Sequence, residues 1–239
     1  MTAIAFIGAS APVSAQLALD VESGAVFSGY NDVQIPGDAG TRFSLKDDLD
    51  PDVGAFVRVR LEYTIGERHT VAALYAPLTI QATGRSDAAI DFAGETFPAG
   101  TDLTGDYTFN SYRLTYRYEF TPRGRLSYGL GFTAKMRDAA IRVEGGGLES
   151  EKTNVGFVPL LNFRLNYALS DKVTGILEGD ALAASQGRAE DVFLGMRYQL
   201  TDLIGLKAGY RMVEGGADND KVYNFAMINY AVLGLTLSF

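Results

Sequence analysis

His69 is the one histidine among the chain's 239 residues, and cysteine is absent, so thiolate nucleophiles, disulfides and cysteine-held metals are excluded. The residues left that could do chemistry are one imidazole and a large stock of charge. Two acidic runs, Asp47-Asp48-Leu49-Asp50-Pro51-Asp52 and Asp218-Asn219-Asp220, offer the carboxylate oxygens that a hard cation such as Ca²⁺ wants. Neither carries the glycine and distal glutamate of an EF-hand loop, so both read as solvated acidic loops and no metal is assigned. Gly145-Gly146-Gly147 precedes neither a helix nor a Lys-Ser/Thr pair, which makes it turn material and not a phosphate cradle; no cofactor site emerges. The third set is the largest: Arg58, Arg60, Glu62, Arg113, Arg117, Glu119, Lys135, Arg137, Arg164, Glu178, Asp180, Asp191, Arg197, Lys207 and Arg211. Most stand between apolar neighbours, and both signs are present. Gathered in one place, they would pair with one another or line a path for ions and small polar solutes.

A period of two gathers them. Val53, Ala55, Val57, Val59, Leu61, Tyr63 and Ile65 share one face of a strand, while Arg58, Arg60 and Glu62 fall on the other. The device recurs with Tyr112, Leu114, Tyr116, Tyr118 and Phe120 against Arg113, Thr115, Arg117 and Glu119. It recurs again with Leu126, Tyr128, Leu130, Phe132, Ala134 and Met136 against Thr133, Lys135 and Arg137. Further strands are predicted over 157–169, 173–183, 192–200, 206–212 and 231–239. Weaker ones cover 17–30 and 69–83, the last interrupted by Pro77, which implies a bulge or a missing ladder bond. The prediction is about ten antiparallel strands in an all-β fold.

The connections alternate in length. Short turns are expected at 66–68, 121–125, 170–172 and 201–205, and long loops at 31–52, 84–105 and 144–152; within the second loop, Ala88 to Phe97 reads as a small hairpin. Strands entering the short-turn rim place aromatic residues on the apolar face just before the turn. The resulting ring comprises Tyr63, Tyr118, Phe120, Tyr128, Tyr167, Tyr198 and Phe239, the girdle that a lipid–water boundary selects.

Composition narrows the class. A formal charge of −8 without basic clusters excludes nucleic acid as a partner. Residues 1–15 are uncharged, mostly apolar or small, and close on Val13-Ser14-Ala15, a small-x-small pattern. They read as a signal peptide lacking the basic start of a complete one, with a short apolar strand as the alternative. Residues 16–239 then form one domain. The uncharged run 222–239 is long enough for a transmembrane helix, but Asn224 and Asn229 would lie in hydrocarbon and the alternation of Ala231, Leu233, Leu235, Leu237 and Phe239 favours a strand. A soluble, lipocalin-like barrel would turn its apolar face inward; the aromatic rim and unequal loops favour the opposite. In lipid the sheet must close, which an even number of strands achieves.

The ending LGLTLSF, apolar at alternate positions with Phe239 last, resembles the terminal strand of bacterial outer-membrane proteins. The resemblance implies a closed, up-and-down transmembrane β-barrel with short periplasmic turns, located in the outer membrane of a Gram-negative cell envelope. It also implies outer-membrane lipid and the assembly machinery that reads the last strand as partners. Ten-stranded omptin proteases pair acidic residues with a histidine on the outer rim. Here His69 follows a short turn on the periplasmic side, so no enzyme is expected. A ten-stranded barrel is narrow, and its charged interior is expected to plug it. The function read from this is a structural or surface-contact role; the alternatives are a porin-like narrow channel and a soluble ligand-binding barrel.

Overall fold

The computed structural model describes residues 15–120, 124–184 and 187–239. The segment read as a signal peptide lies outside them save Ala15, as does most of the 121–125 turn. In chain order the strands are β1 (Ala15–Gln34), β2 (Phe43–Ser44), β3 (Asp50–Pro51), β4 (Gly54–Ile65), β5 (His69–Ala76), β6 (Thr79–Arg85), β7 (Ile90–Phe92) and β8 (Glu95–Phe97). There follow β9 (Asp102–Phe120), β10 (Leu126–Gly145), β11 (Leu148–Ala168), β12 (Val173–Ala184), β13 (Gly187–Gln199), β14 (Ile204–Asn219) and β15 (Val222–Ser238). Ten staves run antiparallel around the barrel in the order β1, β4, β5, β9, β10, β11, β12, β13, β14, β15, and β15 pairs back onto β1 from Ala18↔Ser238 to Gln34↔Tyr223. No helix among the described residues is long and apolar enough to cross a membrane; the 222–239 run is β15.

The stave of β5 is completed by β6. Pro77 breaks the ladder between them, and the side-chain amide of Asn110 repairs it by accepting the Leu78 N–H at 3.3 Å. Short turns at one end are closed by local chemistry: Ser170 and Thr201 hydroxyls each accept backbone N–H groups two and three residues on. At the other end the expected loop over 144–152 is corrected. There β10 and β11 run on to the pair Gly145↔Leu148 and turn through Gly146 and Gly147, whose φ values of 60° and 82° suit a two-residue hairpin. Extended strand pairing won over the polar composition that suggested a loop. The segments 35–53 and 86–101 remain long, and the second holds the β7–β8 hairpin.

The wall is greasy outside. Leu61, Leu114, Leu130 and Leu235 are 38–59% exposed, whereas Arg58 and Arg113 are 4% and 5% exposed and point inward. This reverses the arrangement of a soluble barrel and rules out the lipocalin-like alternative. The aromatic side chains of the short-turn rim all lie on the outer wall, with Phe120 stacked on Tyr128 at 4.9 Å and Tyr118 edge-on to Phe120 at 4.9 Å.

Leu114 belongs to this band and is 59% exposed. Its replacement by arginine is expected to cost about 2–4 kcal/mol, read as a lowered midpoint of urea unfolding in phospholipid vesicles, while Leu114→Ile should stay near the parent value.

Candidate functional site

The inward faces of seven staves meet in a belt of ion pairs across the lumen. Asp191 on β13 receives Arg58 from β4 at 2.8 Å, Arg113 from β9 at 2.7 Å and Arg211 from β14 at 2.5 Å. Glu22 on β1 holds Arg211 at 2.8 Å, Lys207 at 2.6 Å and Arg58 at 3.4 Å. Glu178 on β12 binds Arg164 at 2.7 Å, Lys207 at 3.1 Å and Arg211 at 3.6 Å. Asp180 accepts from Arg113 at 2.7 Å, from the Thr133 hydroxyl at 2.6 Å and from the Asn162 amide at 2.8 Å. Each carboxylate thus meets cations from two or three other staves, or one cation and two neutral donors. This is the condition under which desolvated charge is tolerated.

Nearer the short turns, Glu62 contacts Arg164 at 2.7 Å, Arg117 at 3.6 Å and Arg60 at 3.7 Å, and Glu119 takes Arg117 at 2.5 Å. Arg197 lines the same end without a carboxylate contact among the described residues. Arg60, Glu62, Glu119, Arg164 and Arg197 line a polar chamber of about 490 Å³. Lys135 and Arg137 stand apart from the belt, toward the long-loop end.

Three participants escaped the sequence reading. Asp20 and Glu22 sit on β1, whose alternation is as regular as the rest, Leu17, Leu19 and Val21 facing them across the strand; the small residues after Glu22 masked it. Phe193 is fully buried in the belt, with Lys207 Nζ 4.4 Å and Arg211 Cζ 5.2 Å from its ring. Room for that ring comes from the cross-strand pair Gly195 and Gly209, where an added Cβ would lie 2.4 and 2.7 Å from Phe193 Cζ.

Above the belt the lumen is apolar. Val26, Phe56, Ile228 and Tyr230 turn inward, Phe56 packing edge-on against Tyr230 at 4.9 Å. The long segments complete this layer. Leu45 and Leu49 fold in from the acidic loop while its Asp48 carboxylate accepts the Ser44 N–H at 2.7 Å, and Ile90, Phe92 and Phe97 of the β7–β8 hairpin are at most 1% exposed. His69, by contrast, begins β5 on the exposed outer wall, its Nδ1 2.9 Å from the Tyr116 hydroxyl and its ring 5.2 Å from that of Tyr118. The histidine belongs to the aromatic rim.

The outer membrane protease OmpT of Escherichia coli is similar in structure at a TM-score of 0.55, with 10% identity over 94% of this chain and 97% of that one. This is a transmembrane β-barrel of the bacterial outer-membrane type. Neisserial surface protein A matches at 16% identity over 93% of this chain and 99% of its own, TM-score 0.36. The attachment invasion locus protein Ail of Yersinia pestis matches at 11% over 93% and 98%, TM-score 0.39. No family model matches the chain, and no curated protein does. At such identities the likeness is one of fold.

Asp191 compensates three arginines at once. Asp191→Leu is expected to lower stability by about 3–5 kcal/mol, because the arginines stay buried without their partner. Urea unfolding in vesicles measures this, and a change under 1 kcal/mol would contradict the belt's role.

Proposed function

We propose that this chain is a non-enzymatic outer-membrane barrel with a closed lumen, serving the envelope structurally or by surface contact. The observation that carries the reading is the double closure of the interior: cross-lumen ion pairs centred on Glu22, Glu178 and Asp191, then the apolar layer supplied by the two long segments. A solute would have to break charge pairs in a low-dielectric setting and displace a packed hydrophobic layer as well. Against catalysis, the only imidazole lies on the lipid-facing wall, and the buried carboxylates are committed to arginine and lysine. The surface neighbours contribute fold-level likeness to this reading and no activity.

Phe239 at the end of β15 stands on the outer wall, 69% exposed, where the assembly machinery would read the last strand. Removal of Phe239 is expected to lower the heat-modifiable, membrane-inserted fraction in cells several-fold, while refolding of purified protein in detergent is unchanged.

Planar-bilayer recording tests the closed lumen. Wild-type protein is expected to give no reproducible conductance steps; steps that disappear in Arg113→Ala would establish the narrow channel instead.

A further inference from the structure

The wall is not paired to the same height all round. From Leu161↔Ala181 downward β11 pairs with β12, but above that pair its residues 148–160 pair only with β10 among the described residues. Pro159, which has no N–H to donate, stands just above the last pair. A seam therefore separates the upper part of β11 from β13 and β14, and a cavity of about 190 Å³ opens at this level. Both sides of the seam line it: Asn154 and Val158 from β11, Arg188 and Ala189 from β13, Val213 and Gly215 from β14. Its body is apolar, with Ile35, Ile141, Ala226 and Ile228 adding to those valines.

A cation is aimed into this apolar space. Lys135 is 4% exposed and makes no ion pair or hydrogen bond among the described residues; its Nζ stands over the Phe109 ring, 4.5 Å from the centroid. The other fully buried cations, Arg58, Arg113, Arg117, Lys207 and Arg211, all contact a carboxylate. Arg137 beside it donates to Asn154, while its buried Nε lacks a partner. Lys152 and Arg188 also border the cavity. The one carboxylate there, Glu214, is already held by Arg188 at 2.7 Å and by the Tyr30 hydroxyl. An ammonium without an ion pair in such a place is costly: it either gives up its proton or keeps it by meeting an anion.

We propose that this cavity is a binding site for a small amphiphilic carboxylate, its anionic head against Lys135 and Arg137 and its apolar body among Ile141, Val158, Val213 and Ile228. A dry cavity of about 150 Å³ accepts benzene, so the body is the size of one aromatic ring or a short acyl chain. The cavity is lined by none of the carboxylates of the ionic belt, so the site does not depend on whether the barrel conducts.

Phenylacetate and its uncharged counterpart benzyl alcohol are suitable probes, measured by equilibrium dialysis and saturation-transfer NMR against nanodisc-embedded protein, with empty nanodiscs subtracted. Phenylacetate is expected to bind at least tenfold more tightly than the alcohol and to lose at least tenfold in Lys135→Met. Ala226→Phe, which fills the cavity and leaves both cations in place, is expected to abolish binding while heat-modifiable migration shows an intact barrel. Equal binding of acid and alcohol, or full affinity in Ala226→Phe, would overturn the site. Displacement of phenylacetate by equimolar inorganic phosphate would overturn it too, since a bare anion lacks the apolar half.

Discussion

A peptide N–H or C=O in hydrocarbon has no water to bond, and leaving one unpaired costs several kcal/mol. Every large feature of this barrel follows from that cost. The sheet must close, so β15 returns to β1; closure with every neighbour antiparallel takes an even number of staves, and ten gives a narrow lumen. The outward half of each alternating strand then meets acyl chains, and the inward half is enclosed whatever its polarity.

The enclosed half is where charge accumulates, and its arrangement is dictated by desolvation. Ion pairs on an exposed surface contribute little, but these are cut off from water and must each be satisfied by geometry. Sharing Asp191 among three arginines and Glu22 among three cations does so while tying opposite staves together. Phe193 under Lys207 and Arg211 fills the space between the charges with a polarisable face in place of water. The belt braces the wall by joining β1, β4, β9, β11, β12, β13 and β14 through the same contacts.

Above the belt this logic changes, because the chain itself supplies apolar cover. Leu45, Leu49, Phe92 and Phe97 return from the long segments into the mouth, so inward Val26, Phe56 and Ile228 are buried against protein. The wall is incomplete here, where β11 has lost its ladder to β12. The unpaired part of β11 and the cavity beside it occupy this zone, and Lys135 lies at the boundary between the ionic and apolar layers without an ion pair among the described residues.

Period-two alternation is a local property, and it made the strand count, the outward face at Leu61, Leu114 and Leu130, the inward face at Arg58 and Arg113, and the aromatic rim legible from residues alone. Turn positions at 66–68, 170–172 and Pro77 were legible for the same reason, since each depends on a few neighbouring residues. Local pattern failed where pairing overrides composition, as in the polar stretch 144–152, strand on both sides of a two-residue turn, and where small residues blur the alternation, as on β1 with Asp20 and Glu22. Which cation meets which carboxylate, the apolar layer inside the mouth, and the seam above Leu161 and Ala181 were decided by the tertiary structure. They depend on closure, register and the return of distant segments, and residues such as Arg58 and Asp191, 133 positions apart, become neighbours only when the sheet has joined its own edge.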